Sequence, residues 1–320
     1  MFKWQKRGLI WKPSKSYDWM QEYGQNPNAV ELEDRIRIYF SSRKKDNADG
    51  KYLSFIFFVD VNKSDPSRII DVHDQPLLNP FGKGENGAFD EFGTMPGSIV
   101  YHKEKQEHWL YYVGWQRPLS LPYSWANGLA ISKDGGASFQ KIAKEPIISS
   151  RYEYPYLHAC PRVFRDEKDQ WFMWYASGVE WHQHEGRLNP IYVLMGATSE
   201  DGIQWNLSGK QSIPSVGTKE CQSSASVIRH DGKYHMFFSY RDVLPATPEQ
   251  KQYRIGYAWS NDLANWHRDD SRAGISVSPT GWDSTAVCYP HVVKVEQKIY
   301  MFYSGSEYGS GGFGFAELKN

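Results

Sequence analysis

The sequence predicts an all-β fold built from a repeated unit. A turn phrase with Ser, Asp and a closing aromatic occurs at residues 132–139 (SKDGGASF), 199–205 (SEDGIQW) and 260–266 (SNDLANW). The closing aromatics, Phe139, Trp205 and Trp266, lie 66 and 61 positions apart. Aromatic-rich segments precede these turns, and no stretch shows a sustained helical period. Recurrence at a near-constant interval is typical of a structural unit that repeats along the chain.

Five copies of this unit can be aligned. Their aromatic strands are predicted at residues 38–42, 110–114, 172–178, 236–240 and 301–305. A shorter strand with Pro or a small residue near its start precedes each of them, at 26–30, 95–100, 160–163, 224–227 and 289–292. Polar hairpin turns join the two strands, and a third strand and an outer strand follow. Four antiparallel strands per copy are typical of a propeller blade, so we predict a five-bladed β-propeller with four-stranded antiparallel blades.

The last copy has a third strand at residues 312–316 but no outer strand after it. Residues 8–11 are free to supply that strand, so we expect the N-terminal strand to close the ring. We expect residues 1–320 to form a single propeller domain. The Asp and Gly of the turn phrases are expected to reverse the chain, and the final aromatics to pack between neighbouring blades. These phrases are therefore predicted to be structural.

Composition narrows the range of partners. The 37 basic and 37 acidic side chains cancel and the pI is near 7.1, which gives no reason to expect nucleic acid or an anionic membrane as a partner. The N-terminal residues lack the apolar core of a secretory signal, and no run approaches the ~18 apolar residues of a membrane span. Three cysteines, an odd number, argue against a disulfide framework. We therefore expect a cytoplasmic protein.

Residues 25–29 (QNPNA) are similar to the Asn-Asp-Pro-Asn-Gly motif of glycoside hydrolase family 32. As an architecture, nearly the whole chain resembles the five-bladed propellers of glycoside hydrolase families 43, 62, 32 and 68 and of the family 130 phosphorylases. Asn26 stands where family 32 has a nucleophilic Asp, and Ala159 stands in place of the acid of a Glu-Cys-Pro motif. An amide cannot act as a nucleophile or base. The chain most resembles the glycosidase-like propellers that accompany sugar-polymer biosynthesis.

The resemblance implies an active site in the axial funnel, where the inner strand of each blade begins. Cleavage of a glycosidic bond needs one protonated carboxyl and one ionised carboxyl on opposite sides of the anomeric carbon. The candidates that precede inner strands are Asp90, Glu91, Glu220 and Asp283. We expect Glu220 to be the general acid and Asp90 the base or nucleophile, with Glu91 and Asp283 orienting them. In the simpler interpretation these residues belong to solvated loops or turns, and Lys219 is the exposed partner of Glu220.

Nine further residues are predicted to bind the substrate: Asn26, Asn28, Arg43, Trp115, His158, Arg162, Arg241, Tyr289 and His291. Arg43 and Arg241 end equivalent aromatic strands, where a guanidinium can fork onto a carboxylate or phosphate. The alternative for both is an ion pair with an acid of a neighbouring blade. Arg162 and His291 can instead hold the central channel together. Trp115, Tyr123 and Trp125 can form a wall that stacks on sugar rings, or can pack between blades.

We predict neither a metal ion nor an organic cofactor. In a strand His182 and His184 would share a face, but we expect this stretch to be a solvated loop before Asn189 and Pro190. Two histidines without a third ligand are also weak support for a metal site. Cys160, Cys221 and Cys288 fall near three successive inner strands, and we expect buried free thiols.

These residues lead to three candidate functions. The first is a glycoside hydrolase that acts on a carbohydrate or sugar conjugate in the axial funnel by carboxylate acid–base catalysis. The second is a non-catalytic carbohydrate-binding or assembly propeller, favoured by Asn26 and Ala159. The third is a phosphorylase or an enzyme that handles a phosphate-bearing sugar, favoured by the several arginines. A facing carboxyl pair about 5–5.5 Å or 6.5–9.5 Å apart would support the hydrolase.

Overall fold

In the computed structural model, which describes residues 2–79, 82–153, 155–245 and 247–319, the strands form five separate four-stranded antiparallel sheets. Blade 1 contains β2 (Glu22–Glu31), β3 (Arg35–Lys45), β4 (Tyr52–Asn62) and β5 (Ile69–His73). Blade 2 contains β6 (Thr94–His102), β7 (Glu107–Gln116), β8 (Ser124–Ser132) and β9 (Gln140–Lys141). Blade 3 contains β10 (His158–Arg165), β11 (Trp171–His184), β12 (Arg187–Ser199) and β13 (Asn206–Gln211).

Blade 4 contains β14 (Glu220–His230), β15 (Lys233–Asp242), β16 (Arg254–Ser260) and β17 (His267–Arg268). Blade 5 contains β18 (Cys288–Val295), β19 (Lys298–Ser304), β20 (Phe313–Leu318) and the N-terminal strand β1 (Trp4–Trp11). The inner strands β2, β6, β10, β14 and β18 contact one another in that order and then return to β2, so the sheets form a closed ring. The predicted five-bladed propeller is confirmed.

The middle strands of each blade are buried on both faces, because each blade packs against its neighbours. In β3, for example, the seven consecutive residues from Ile36 to Ser42 are buried. Aromatic and β-branched side chains suit such a pleated, two-sided interior, which accounts for the aromatic-rich segments of the sequence.

The N-terminal strand closes the ring as predicted. β1 pairs antiparallel with β20, from Trp4 opposite Leu318 to Trp11 opposite Phe313. The indole N–H of Trp4 also donates to the Ala273 carbonyl at 3.0 Å, which ties the strand to the loop before blade 5. Blade 5 is therefore built from both ends of the described chain.

The recurring turn phrase is a structural device. In the second-blade copy, Asp134 accepts hydrogen bonds from Ser132, Ser138 and two backbone amides. Burial alone would raise the pKa of Asp134, but these donors outweigh it and lower that pKa to about 2. The equivalent carboxylates, Asp201 and Asp262, accept the same kind of bonds.

The final aromatic of each phrase contacts the preceding blade, as predicted. The ring of Phe139 lies 5.8 Å from Tyr39, Trp205 lies 6.1 Å from Tyr111, and Trp266 lies 5.4 Å from Trp174, measured between ring centroids. The three contacts join blades 2 and 1, 3 and 2, and 4 and 3.

Helical structure in the described part of the chain is limited to short turns at Pro248–Lys251, Asp270–Arg272 and Ser306–Gly309. None of them has the length or apolar character needed to cross a lipid bilayer.

Candidate carbohydrate site in the axial cavity

A cavity of about 190 Å³ lies where the inner strands begin, and we call it the axial cavity. Its lining comes from all five blades: Gln25, Asn26, Arg43, Met95, Trp115, Tyr123, Trp125, Ala159, Cys160, Ala176, Tyr192, Ser223, Arg241, Tyr253, Tyr289 and Tyr308. Five of the nine predicted substrate-binding residues are therefore brought together here: Asn26, Arg43, Trp115, Arg241 and Tyr289.

An irregularity repeated in every inner strand shapes the floor of the axial cavity. Each inner strand shifts register against its neighbour at the same place, near the Pro or small residue noted in the sequence. In four blades a residue there adopts positive φ: Asn26 at 52°, Cys160 at 50°, Ser224 at 53° and Tyr289 at 55°. A β-bulge re-aims side chains locally, which explains why Asn26, Cys160 and Tyr289 line the cavity.

Aromatic rings form a continuous wall around one side of the axial cavity. Trp115, Tyr123 and Trp125 pack on one another with ring centroids 4.6–5.6 Å apart. Trp125 meets Tyr192 at 6.2 Å, and the hydroxyl of Tyr192 hydrogen-bonds that of Tyr253. Burial raises the pKa values of Tyr123, Tyr192 and Tyr253, so these hydroxyls are neutral at physiological pH.

Two arginines face this wall without a carboxylate partner. The guanidinium carbon of Arg43 lies 4.7 Å from the ring centroid of Tyr23 and 4.8 Å from that of Trp115. That of Arg241 lies 5.5 Å from Tyr253. Among the described residues neither arginine forms an ion pair, and the Nε of each is buried without a hydrogen-bond partner. Burial lowers the pKa of Arg43, as expected for a cation that has no counter-charge beside it.

The remaining four predicted binding residues, Asn28, His158, Arg162 and His291, are not part of the cavity lining. Arg162 donates to the Asn28 amide oxygen across the channel. His291 Nε2 lies 3.0 Å from the Ala29 carbonyl oxygen, and burial with the nearby Arg162 charge lowers the pKa of His291 to about 3. His158 is buried against the ring of Tyr175. None of the four lines the axial cavity; Asn28, Arg162 and His291 join blades across the channel.

The predicted catalytic carboxylates do not line the axial cavity. Asp90 accepts from Lys141 at 2.5 Å and from the Tyr112 hydroxyl at 3.2 Å. Asp283 accepts from Lys6 at 2.5 Å and from the Tyr303 hydroxyl at 2.9 Å. Lys141 lies on β9 and Lys6 on β1, so each carboxylate binds a cation on the outer strand of its own blade.

Glu220 follows the same pattern in blade 4. Its carboxylate accepts from Arg268 on β17 at 2.7 Å, and Arg268 also binds Asp270 at 2.8 Å. Glu91 accepts a backbone hydrogen bond from Gly87 at 2.8 Å. We call the pairs Asp90–Lys141, Glu220–Arg268 and Asp283–Lys6 the blade clamps. Because the three buried carboxylates hold outer strands, the structure places them within blades 2, 4 and 5 instead of around the axial cavity.

The loop predicted at residues 182–184 is wrong, because these residues end β11 and pair with β12 in a hairpin. His182 Nδ1 lies 2.9 Å from Glu180, and no group of three His, Cys, Asp or Glu side chains suited to a metal occurs within the described ranges. The three cysteines are buried and free, and burial raises their pKa values.

Sequence reasoning missed Gln25, Ser223 and three tyrosines of the cavity, Tyr192, Tyr253 and Tyr308. A repeating signal does exist for two of them. Trp125, Tyr192 and Tyr253 lie at or just before the third strands of blades 2, 3 and 4, where an aromatic recurs. Aligning the third strands as well as the aromatic strands would have found this position.

The ring of five blades and the axial cavity define the class of the protein. Its fold is a five-bladed β-propeller of four-stranded antiparallel blades. A thermostable family-43 glycoside hydrolase superposes with a TM-score of 0.65 at 15% identity, over 97% of this chain and 91% of the other. A glycosyl hydrolase from Bacteroides ovatus gives a TM-score of 0.68 at 15% identity, over 99% and 93%. These identities are low enough that the likeness concerns the fold alone.

Another similar structure comes from family 130, described as a family of mannoside phosphorylases that contains glycoside hydrolases targeting β-1,2-mannosidic linkages in Candida mannan. It superposes with a TM-score of 0.68 at 16% identity, over 99% of this chain and 94% of the other.

Sequence comparison identifies nearer relatives. The chain is 34% identical over 322 residues to the Mycobacterium tuberculosis proteins Rv1502 and MT1551, covering 99% of this chain and 99% of each of them. It belongs to the same family as these two proteins. A β-1,2-mannobiose phosphorylase from a Thermoanaerobacter species is 31% identical over 94 residues, which cover 27% of this chain and 30% of the enzyme. No family model matches the sequence.

Proposed function

We propose that the protein recognises a saccharide in the axial cavity and does not cleave it with the predicted carboxylate pair. The observation that carries the proposal is the composition of the cavity lining, which combines a continuous aromatic wall with amide, hydroxyl and guanidinium groups and includes no Asp or Glu among the described residues. The glycosidase-like propellers with the same fold support carbohydrate as the ligand class.

The aromatic wall suits the apolar face of a pyranose ring. Trp125 and Tyr123 stack on each other with an interplanar angle of 20°, which fixes the orientation of two rings that line the cavity. Sugar C–H groups gain dispersion and hydrophobic contact on such a surface, while the hydroxyl groups need directional partners. Gln25, Asn26 and Ser223 supply those partners at the cavity floor. A volume of about 190 Å³ is below the ~300–1,000 Å³ of pockets for drug-sized ligands, which favours a ligand as small as a single sugar unit.

Two-carboxylate cleavage is poorly supported in this cavity. That chemistry requires an acid and a base on opposite sides of the anomeric carbon. Asp90 and Glu220 are each engaged by a cation of their own blade and lie outside the lining. Asn26, at the position of the family-32 nucleophile, is an amide whose oxygen accepts a hydrogen bond from Ser224 at 3.1 Å.

Acid–base hydrolysis is kept as a second candidate because of one observation. Glu220 also borders a neighbouring cleft of about 240 Å³, which shares Arg241 with the axial cavity and contains Asp242 and Glu249 as well. A substrate that extends from the cavity into this cleft would reach a carboxylate. Incubation of the protein with a bound glycan, followed by analysis of released sugars, separates the two candidates.

The test of recognition begins with a glycan array and continues with calorimetric titration of the glycans retained. We expect Trp125→Ala to weaken binding by about tenfold or more, given ~0.5–1.5 kcal/mol per aromatic contact in addition to lost area. Trp259→Ala, which removes an indole from the outer part of blade 4, is the matched control and should bind like the parent. Thermal unfolding of both variants verifies folding. Retention of affinity in a folded Trp125→Ala protein would contradict the proposal.

A further inference from the structure

We infer that the saccharide bound in the axial cavity carries an anionic group, a phosphate or a carboxylate, that is held between Arg43 and Arg241. The inference rests on the proposed function and names its substrate class. It follows from the charges, the unpaired donors and the positions of the two arginines.

The described lining of the cavity contains two cationic side chains, Arg43 and Arg241, and no Asp or Glu. The tyrosines Tyr23, Tyr289, Tyr123 and Tyr52 surround the guanidinium of Arg43. Glu22 lies opposite Arg43 in the strand ladder, but its carboxylate binds Lys15 and the Tyr52 hydroxyl. Outside the lining, Arg162 is 3% exposed, and within the described ranges it likewise has no carboxylate partner. Arg43 and Arg241 are half-buried. A charge withdrawn from water is costly unless it is paired, and an oxyanion in the cavity would supply the missing counter-charge.

In the described part of the chain, the buried polar atoms of the cavity that have no hydrogen-bond partner are mostly donors. The buried lining atoms without a partner among the described residues include four that can only donate: Nε of Arg43, Nε of Arg241, and the indole N–H groups of Trp115 and Trp125. Only Gln25 Oε1 is a pure acceptor of this kind, and the Ser223 hydroxyl can play either part. Buried donors in native proteins are nearly always satisfied. A ligand rich in acceptors and poor in donors, such as an oxyanion, meets this requirement.

The positions of the arginines place the oxyanion near the axis. Arg43 lies near the end of β3 in blade 1 and Arg241 near the end of β15 in blade 4, each opposite the first residues of its blade's inner strand. Blades 1 and 4 are not neighbours in a ring of five, so the two side chains approach the cavity from well-separated directions. Each can direct planar paired donors at a phosphate or carboxylate. The stacking rings of Tyr23, Trp115 and Tyr253 hold the guanidinium groups without neutralising them.

The test compares charged and neutral monosaccharides on the same protein. The probes are mannose 1-phosphate, mannose 6-phosphate and glucuronate, with mannose and glucose as neutral controls and inorganic phosphate as the anion alone. We expect one charged sugar to bind at least about tenfold more tightly than its neutral counterpart, as charge-assisted hydrogen bonds imply. Preference for a phosphate probe or for glucuronate identifies which oxyanion the cavity takes. Rising salt should weaken the charged probe selectively.

Variants assign the effect to the two arginines. Arg43→Met and Arg241→Met should each weaken the charged sugar by about 10- to 100-fold and change the affinity for the neutral sugar little. Arg43→Lys and Arg241→Lys keep the charge but not the forked geometry of the guanidinium. Their affinity for the charged sugar should lie between that of the parent and that of the Met variants, and they serve as the test if the Met variants fold poorly. Arg187→Met alters an exposed arginine at the tip of the β11–β12 hairpin and should bind as the parent does.

The outcomes separate this inference from the proposed function. Equal affinity for charged and neutral sugars, or charged-sugar binding that survives both folded Met variants, would overturn the anion inference and leave saccharide recognition standing. Binding of inorganic phosphate with no gain from an attached sugar would keep the anion site and overturn the saccharide proposal. Failure of every probe, inorganic phosphate included, would overturn the inference.

Discussion

Replacing Glu220 by Gln distinguishes a blade clamp from a catalytic acid. Glu220 is 3% exposed and binds Arg268, whose side chain is 4% exposed, at 2.7 Å. Removing one partner of a buried ion pair costs about 3–5 kcal/mol, because the other charge stays buried. Arg268 retains Asp270 at 2.8 Å, which places the expected loss near the lower end, about 3 kcal/mol. For 320 residues this corresponds to a fall in Tm of about 4–5 °C.

The assay is thermal unfolding of Glu220→Gln, Arg268→Met and the double variant. Because the double variant leaves no unpaired partner from the clamp, its loss should be smaller than the sum of the single losses by about 1–3 kcal/mol. Glu104→Gln is the matched control, since Glu104 pairs with Arg165 at 3.0 Å on the surface, and its Tm should stay close to that of the parent. A Glu220→Gln protein that unfolds at the parental temperature but loses the ability to cleave a bound glycan would refute the structural role and restore Glu220 as the acid.

Three further predictions concern stability and reactivity. His291 has a lowered pKa in the folded protein, so the unfolded chain binds the proton of His291 more readily. The free energy of unfolding should therefore fall as the pH drops below about 6.5, by about 1.4 kcal/mol at pH 5.5. His291→Gln should flatten the dependence of Tm on pH between pH 4.5 and 7. Gly93→Ala puts a Cβ 2.5 Å from the Ser54 carbonyl oxygen at φ +146°, and should lower Tm far more than Gly135→Ala, whose Cβ meets nothing within 4 Å. Cys221 and Cys288 are fully buried and do not line the axial cavity, so both should resist an aromatic disulfide reagent until denaturant is added. Rapid labelling of either cysteine in the native protein would contradict their burial.

The fold could be predicted because its signals repeat. Aromatic strands and Ser-Asp turns recur in successive blades, because every blade packs between two neighbouring blades in the same way. Ring closure followed from counting, because one copy lacked an outer strand and residues 8–11 had no other partner. Both are properties of the chain's pattern and need no knowledge of side-chain direction.

The candidate site was predicted less completely, and the reason lies in side-chain direction. Arg43 and Arg241 could be placed in the cavity because strand ends map directly onto the funnel. Asp90 and Glu220 also precede or begin inner strands, yet their carboxylates turn towards Lys141 and Arg268 on outer strands. Those cations lie about 50 positions further along the chain and meet the acids only once the blade is folded.

The pairing of β1 with β20 has a consequence for how the protein assembles and fails. It joins segments roughly 300 residues apart, and closing so long a loop costs about 5 kcal/mol of chain entropy. Blades 1 to 4 each form from one contiguous stretch of sequence, but blade 5 is complete only after β1 has paired with β20. If β1 detaches, β20 becomes an unprotected apolar edge that can template strand addition by another molecule. Aggregation during heating is therefore expected to begin at the edge of β20 that β1 leaves exposed.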